Sequence, residues 1–132
     1  MRPSGTQRWT TKRLEEIGFV ASGGTPLKSD YTFWDGQIPW YSSGELNADF
    51  TTEPKDKITD RGLSKSNAKV FPTGSLLIGM YDTAAMKMSI LDRDAAFNQA
   101  IAGIQPSEHA ELKFVKAMLE ALKIYLLDQR RG

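Results

Sequence analysis

Between Ala68 and Ile104 the apolar residues fall in short runs, Ser75-Leu76-Leu77-Ile78-Gly79-Met80 among the longest, each closed by turn formers such as Phe71-Pro72-Thr73-Gly74 or Asp92-Arg93-Asp94. Runs this short, bounded this way, are what a packed sheet needs. They place buried strands at Ser75 to Tyr81, Met86 to Leu91 and Ala95 to Ile104. Upstream, Trp9 to Val20 reads as an opening strand, with Leu14, Ile17, Phe19 and Val20 apolar and Lys12, Arg13, Glu15 and Glu16 toward solvent. Ser22-Gly23-Gly24-Thr25-Pro26 ends it, because paired glycines permit positive φ and Pro26 keeps Thr25 extended.

The stretch from Ser29 to Asn47 is dense in aromatics, Tyr31, Phe33, Trp34, Trp40 and Tyr41, with a turn signal at Asp35-Gly36. Residues 38–42 are extended, and Pro39 confines them to an edge or a strand start. Asp49 to Lys57 reads as polar loop, and Thr59 as the N-cap of one short helical turn. After Pro106 the period changes. Leu112, Val115, Leu119, Leu122 and Leu126 repeat at steps of three and four, with Phe114, Met118, Ala121 and Tyr125 beside them, which predicts a helix over 109–131. Its basic last turn suits the helix dipole. The expected fold class is α+β: a small irregular mixed β-sheet domain with one long C-terminal helix. Residues 1–8 form a flexible arm and 9–132 a single domain, a length that buries one core.

The absence of cysteine excludes disulfides and thiolate metal sites, and fits a reducing, cytoplasmic setting. No apolar run approaches the roughly 18 residues that span a bilayer, and the first residues contain no signal-peptide stretch, so no membrane association is expected. Phosphate-cradling, dinucleotide-binding and nucleophile-elbow motifs are all missing. Asp35, Asp92 and Asp94 lie in turns and read as solvated. Asp82 follows a buried strand but has no partner acid at recognisable spacing. His109, the only histidine, reads as exposed beside Glu108 and Glu111, and Met80, Met86, Met88 and Met118 as core filler. No catalytic residue, metal or cofactor is expected. A net charge of +1 does not by itself suggest nucleic acid, since non-specific affinity comes from Lys and Arg neutralising phosphates. Such a chain binds DNA only with its charges segregated onto one face, or with partners supplying phosphate contacts.

Four segments, in order, carry a resemblance. They are Leu14-Glu15-Glu16-Ile17-Gly18 leading into Ser22-Gly23-Gly24-Thr25-Pro26; Tyr31 to Leu46, with Ile38-Pro39-Trp40 and Gly44-Glu45-Leu46; Ile58 to Leu63 with Ser66-Asn67-Ala68 and Phe71-Pro72 to Leu77; and Ala96 to Ile104, with Asn98-Gln99. Over residues 9–106 the chain resembles the target-recognition domain of type I restriction–modification specificity subunits. The resemblance implies recognition of one half of a split double-stranded DNA target, with no cofactor and no chemistry of its own. It implies partners too: modification subunits with the methyltransferase chemistry, docked on spacer helices, and ATP-driven restriction subunits. In the family a helix like Leu112 to Leu127 is followed by a further strand and the spacer helix, so closure of the domain is expected to be incomplete here, with self-association through helix 110–131.

Direct readout needs side chains with mixed donors and acceptors on loops. Candidate DNA-binding residues are Thr25, Lys28, Tyr41, Ser42, Ser43, Arg61, Ser64, Lys65, Ser66, Tyr81, Thr83 and Lys87. Each has a structural reading beside the functional one. Gly23-Gly24-Thr25 makes a capped tight turn, Tyr41 to Ser43 end a strand, and 81–87 is a polar hairpin tip held by two buried strands. Trp34 and Trp40 read as core anchors, because duplex DNA offers no unstacked bases. Asn98 and Gln99 read as partners for buried backbone groups. Two competing functions remain: a truncated specificity fragment that binds other subunits as a regulator, and a metal-dependent nuclease using scattered aspartates.

Overall fold

The structure, a computed structural model, describes residues 19–81, 84, 87–105, 116 and 120. Among these residues seven strands make two sheets: β1 (Val20–Ser22), β2 (Trp34–Tyr41), β3 (Asp56–Ile58), β4 (Leu76–Gly79), β5 (Met88–Ile90), β6 (Ala96–Phe97) and β7 (Ile101–Ile104). One sheet runs β1-β7-β4-β5, all antiparallel, and the other β3-β2-β6, with β2 and β6 parallel. Short 3-10 helices occupy Tyr31–Phe33 and Ser43–Glu45, and α1 is Asp60–Ser64.

Strand alternation explains the division of the core. Trp40 pairs with Ala96, and Tyr41 with Phe97. Successive side chains point to opposite faces. Trp40 and Ala96 therefore join Ile58 and Ala68 in one cluster, flanked by Trp34, Ile38 and Leu63. Tyr41 and Phe97 join Leu46, Phe71, Leu77, Leu91, Ala95 and Ile101 in the other. Gly103 lies where the second cluster is tightest: a Cβ there would stand 2.5 Å from Phe97 Cζ and 2.7 Å from Phe71 Cε2.

Several sequence expectations need correction. The fold class is the largest. The described residues are mostly sheet, and the α-helix among them, α1, has five residues; no helix of seven or more is found, so α+β with a long C-terminal helix is not the architecture. The described core is filled from strands and their loops, with no contribution from a helix of that length. Of 109–131 only Lys116 and Glu120 are described, their side chains paired at 2.6 Å. The rest of that segment, the 1–8 arm and His109 lie outside the described residues, and self-association through 110–131 is not carried forward.

Smaller corrections have local causes. Asp35-Gly36 makes no hairpin turn; it bulges β2, so that Trp34 and Ile38 both face Ile58, with Asp35 at φ 61°. Asp tolerates that left-handed region better than most residues. Pro39 lies inside the central strand, yet β6 pairs only at Trp40 and Tyr41, which leaves one neighbour at Pro39. Residues 49–57 hold the start of β3, hidden because only Ile58 of that strand is buried. Ala95 to Ile104 is two strands, broken at Asn98. The Thr59 cap is present as expected, accepting from Gly62 N at 3.0 Å.

Gly103→Ala is expected to destabilise the domain by ~1–3 kcal/mol through overpacking. Gly44→Ala, where a Cβ meets nothing within 4 Å, should cost under ~0.5 kcal/mol. Urea denaturation of the two variants checks this.

Candidate nucleic-acid interface

The turn between β6 and β7 organises one end of the molecule. Asn98 closes it from within: its Oδ1 accepts from Ala100 N at 3.0 Å and its carbonyl from Ile101 N at 3.2 Å. Three other segments bond to the same short stretch. Asn98 N donates to Tyr41 O at the end of β2, and Met80 N, just past β4, donates to Ala100 O at 2.9 Å. Gly23 N donates to Ile101 O and Gly24 N to Phe97 O at 2.9 Å, just past β1. The antiparallel order requires this geometry. β1 and β4 both run opposite to β7, so they end where β7 begins. The loops leaving β1, β2 and β4 therefore emerge together.

Aromatic anchors hold the first of these loops. Trp40 is 3% exposed and its Nε1 donates to Gly24 O at 3.0 Å. Trp34 meets it edge-on at 5.2 Å and donates to Leu27 O at 3.2 Å. Both tryptophans are anchors, as expected. A Cβ at Gly23 would lie 2.0 Å from Phe97 O, and one at Gly24 2.5 Å from Asn67 C, so the turn packs backbone to backbone as only glycine allows.

Most of the sequence-predicted residues gather here, in different states. Thr25 donates to Gln99 Oε1 across 74 residues of chain. Thr25, Lys65 and Ser66 line an open cleft of about 450 Å³ with Gly23, Gly24, Asn67 and Gln99. Lys28, Arg61, Ser64 and Lys65 are exposed, with Arg61 5.7 Å from the Phe33 ring. Ser64 Oγ donates to Arg61 O and Ser66 Oγ to Gly62 O, which commits both hydroxyls to α1. Tyr81 is 59% exposed just past β4, whereas Thr83 lies outside the described residues. Lys87 Nζ donates to Asn47 Oδ1 at 3.1 Å, joining this hairpin to the segment after Ser43. Ser43 starts the second 3-10 helix, half-buried.

Two candidates have structural work instead. Tyr41 is 1% exposed, and its hydroxyl donates to Thr52 O. Ser42 gives both its N–H, at 2.8 Å, and its hydroxyl, at 3.0 Å, to Glu45. Sequence reasoning missed Gln99. Asn98 satisfies backbone as expected, but Gln99 is exposed at the tip of the turn. The signal for it was the Asn-Gln pair inside an apolar run, which marks a break between two strands.

The acids lie elsewhere or act as caps. Asp92 accepts from Thr51 Oγ1 at 2.7 Å and from Arg93 Nη2 at 2.7 Å, and Arg93 also reaches Glu53 at 2.7 Å. The Arg93 guanidinium lowers the Asp92 carboxyl to about 2, against desolvation that raises it. Asp94 takes the N–H and hydroxyl of Thr73, which hold its carboxyl below the usual range. Asp30 is lowered likewise by the hydroxyl and N–H of Thr32. Lys28, Arg61 and Lys65 belong to no ion pair among the described residues, while Arg93 and Lys57 are paired with carboxylates. Among the described residues Lys65 thus stands as an unpaired cation at the cleft, whereas Arg93 and Lys57 are neutralised on the Asp92 side.

A family model for the type I restriction modification DNA specificity domain matches residues 6–129. The chain belongs to that family. It is 30% identical over 125 residues to the specificity subunit of the Escherichia coli type I restriction enzyme EcoR124I/EcoR124II, covering 87% of this chain and 29% of the relative. The Haemophilus influenzae type I restriction enzyme HindI specificity subunit is 25% identical over 127 residues, covering 94% of the chain and 28% of the relative. The crystal structure of the HsdS subunit from Thermoanaerobacter tengcongensis superposes with a TM-score of 0.70 at 17% identity, over 86% of the chain and 27% of that structure; this likeness is one of fold. The DNA specificity domain thus spans under a third of the curated relatives it matches. No described helix is long and apolar enough to cross a membrane.

The Asp92 latch yields a signed prediction. Its folded-state pKa lies below the ordinary 3.8, so its contribution is present above about pH 4 and lost as pH falls toward 2. Asp92→Asn removes that dependence. Wild-type Tm is expected to drop further than the variant's between pH 5 and 2.5, measured in parallel melts.

Proposed function

We propose that this chain reads one short half of a split double-stranded DNA target as a specificity component of a type I restriction–modification complex, without catalysis. The observation that carries the reading is the convergence of the loops after β1, β2 and β4 on the 98–100 turn, beside the cleft where Lys65 has no ion-pair partner among the described residues. Rigid strands presenting loops at one end let loop residues vary while the fold stays fixed. Membership of the specificity-domain family supports the same reading. Base contacts fall to Lys28, Ser43, Arg61, Tyr81, Thr83 and Lys87, with Thr25, Tyr41, Ser42, Ser64 and Ser66 holding the loops that carry them.

The near-neutral total charge fits this division. Partner subunits supply much of the phosphate grip and hold the methyltransferase and endonuclease chemistry, leaving this surface for base edges. Such a complex works in the cytoplasm, where its DNA is. The acids offer no rival nuclease site among the described residues: Asp30, Asp92 and Asp94 are each engaged by hydroxyl, N–H or guanidinium groups of this chain.

The test is retention of random-sequence duplexes by the 132-residue chain across a salt series, followed by sequencing. Enrichment of a short contiguous motif is the expected result. Retention without enrichment contradicts base reading, and no retention at low salt favours a role in binding other subunits.

A further inference from the structure

The cleft beneath the 23–25 turn differs from the rest of the loop end in what it offers a ligand. Its lining contains no carboxylate. Thr25 Oγ1 donates to Gln99 Oε1, which turns the amide oxygen toward Thr25 and leaves the NH₂ to the cleft. The Ser66 hydroxyl is spent on Gly62 O as donor and on Ala68 N as acceptor. Gly24 O is taken by the Trp40 indole. Lys65 is an exposed cation, a donor without an acceptor, and no described carboxylate pairs with it. Asn67 adds an exposed side-chain amide on the same wall, and its backbone carbonyl accepts from Lys69 Nζ at 3.0 Å.

A wall with a cation, amide N–H donors and no carboxylate suits a ligand rich in acceptors. Base edges in the major groove mix donors and acceptors, and telling them apart needs both kinds of partner. Phosphate oxygens only accept. The cleft is also stiff, since Gly23 and Gly24 sit directly on the backbone of Phe97 and Asn67.

We propose that this cleft, with Lys65, Asn67 and the Gln99 amide, seats one backbone phosphate of the bound DNA and sets the domain's register, while bases are read by the neighbouring Tyr81–Lys87 and Ser43 segments. The inference rests on the DNA-reading function proposed above and assigns Thr25 to positioning: it orients Gln99.

The experiment compares Lys65→Ala and Lys65→Arg with the unaltered chain, on a duplex enriched by selection and on a random duplex, across a salt series. Lys65 is exposed, so folding should survive, which a melt verifies. The expected result for Lys65→Ala is a loss of roughly 5–10-fold at 0.1 M salt, equal on both duplexes, with the slope of log K against log salt shallower by about 1. Lys65→Arg recovers most of it. A neutral methylphosphonate at one backbone position is expected to weaken the unaltered chain and leave Lys65→Ala unaffected. Loss confined to the enriched duplex would make Lys65 a base reader and overturn the assignment, as would binding unchanged by the substitution. If the unaltered chain binds neither duplex, the DNA-reading function itself fails, and the phosphate seat with it.

Discussion

The hydrogen-bonded turn at Asn98–Ala100 is the constraint on which the loop end depends. Asn98 gives its side chain to the turn and its N–H to Tyr41 O, while Ala100 and its neighbours receive Met80, Gly23 and Gly24. Four stretches of chain far apart in sequence are fixed to one another by backbone groups, whose satisfaction is obligatory wherever they are buried. Side chains on the loops that those stretches anchor can change without disturbing the scaffold. Recognition of varied ligands by a constant fold requires that separation.

Beneath the turn, the two-residue parallel pairing of β2 with β6 links both halves of the core. Trp40 and Ala96 face one cluster, Tyr41 and Phe97 the other. Burial of these four residues therefore couples α1 and β3, which carry the Lys65 side of the cleft, to the four-stranded sheet, which carries the Gly23 and Tyr81 sides. The indole of Trp40 adds a direct bond into the Gly24 turn. Core and recognition edge are thus one mechanical unit.

Much of this was legible from residues alone where the signal is local. Turn chemistry located Phe71 to Gly74, Thr59 was a readable cap, and short apolar runs located β4 and β5 to within two residues of each end. The order of four motifs identified the family. What escaped was non-local. β3 is a strand because β2 lies beside it, and Asp56-Lys57-Ile58 has no pattern of its own. Asp35-Gly36 has the composition of a turn and becomes a bulge only because Ile58 caps both sides of it. Gln99 looked buried because an apolar run surrounds it, yet that run is two strands and the pair is their corner. Tyr41 illustrates the opposite error, a polar aromatic at a strand end that serves the core.

The central claim is that DNA meets the end of the molecule organised by residues 98–100. Backbone amide chemical-shift mapping on titration with a selected duplex tests it most directly. The account predicts shifts concentrated at 23–28, 43–47, 61–67, 80–87 and 98–100, with Glu53 and 92–94 unchanged. Shifts centred on the Asp92–Arg93 side, with the 98–100 turn silent, would contradict it.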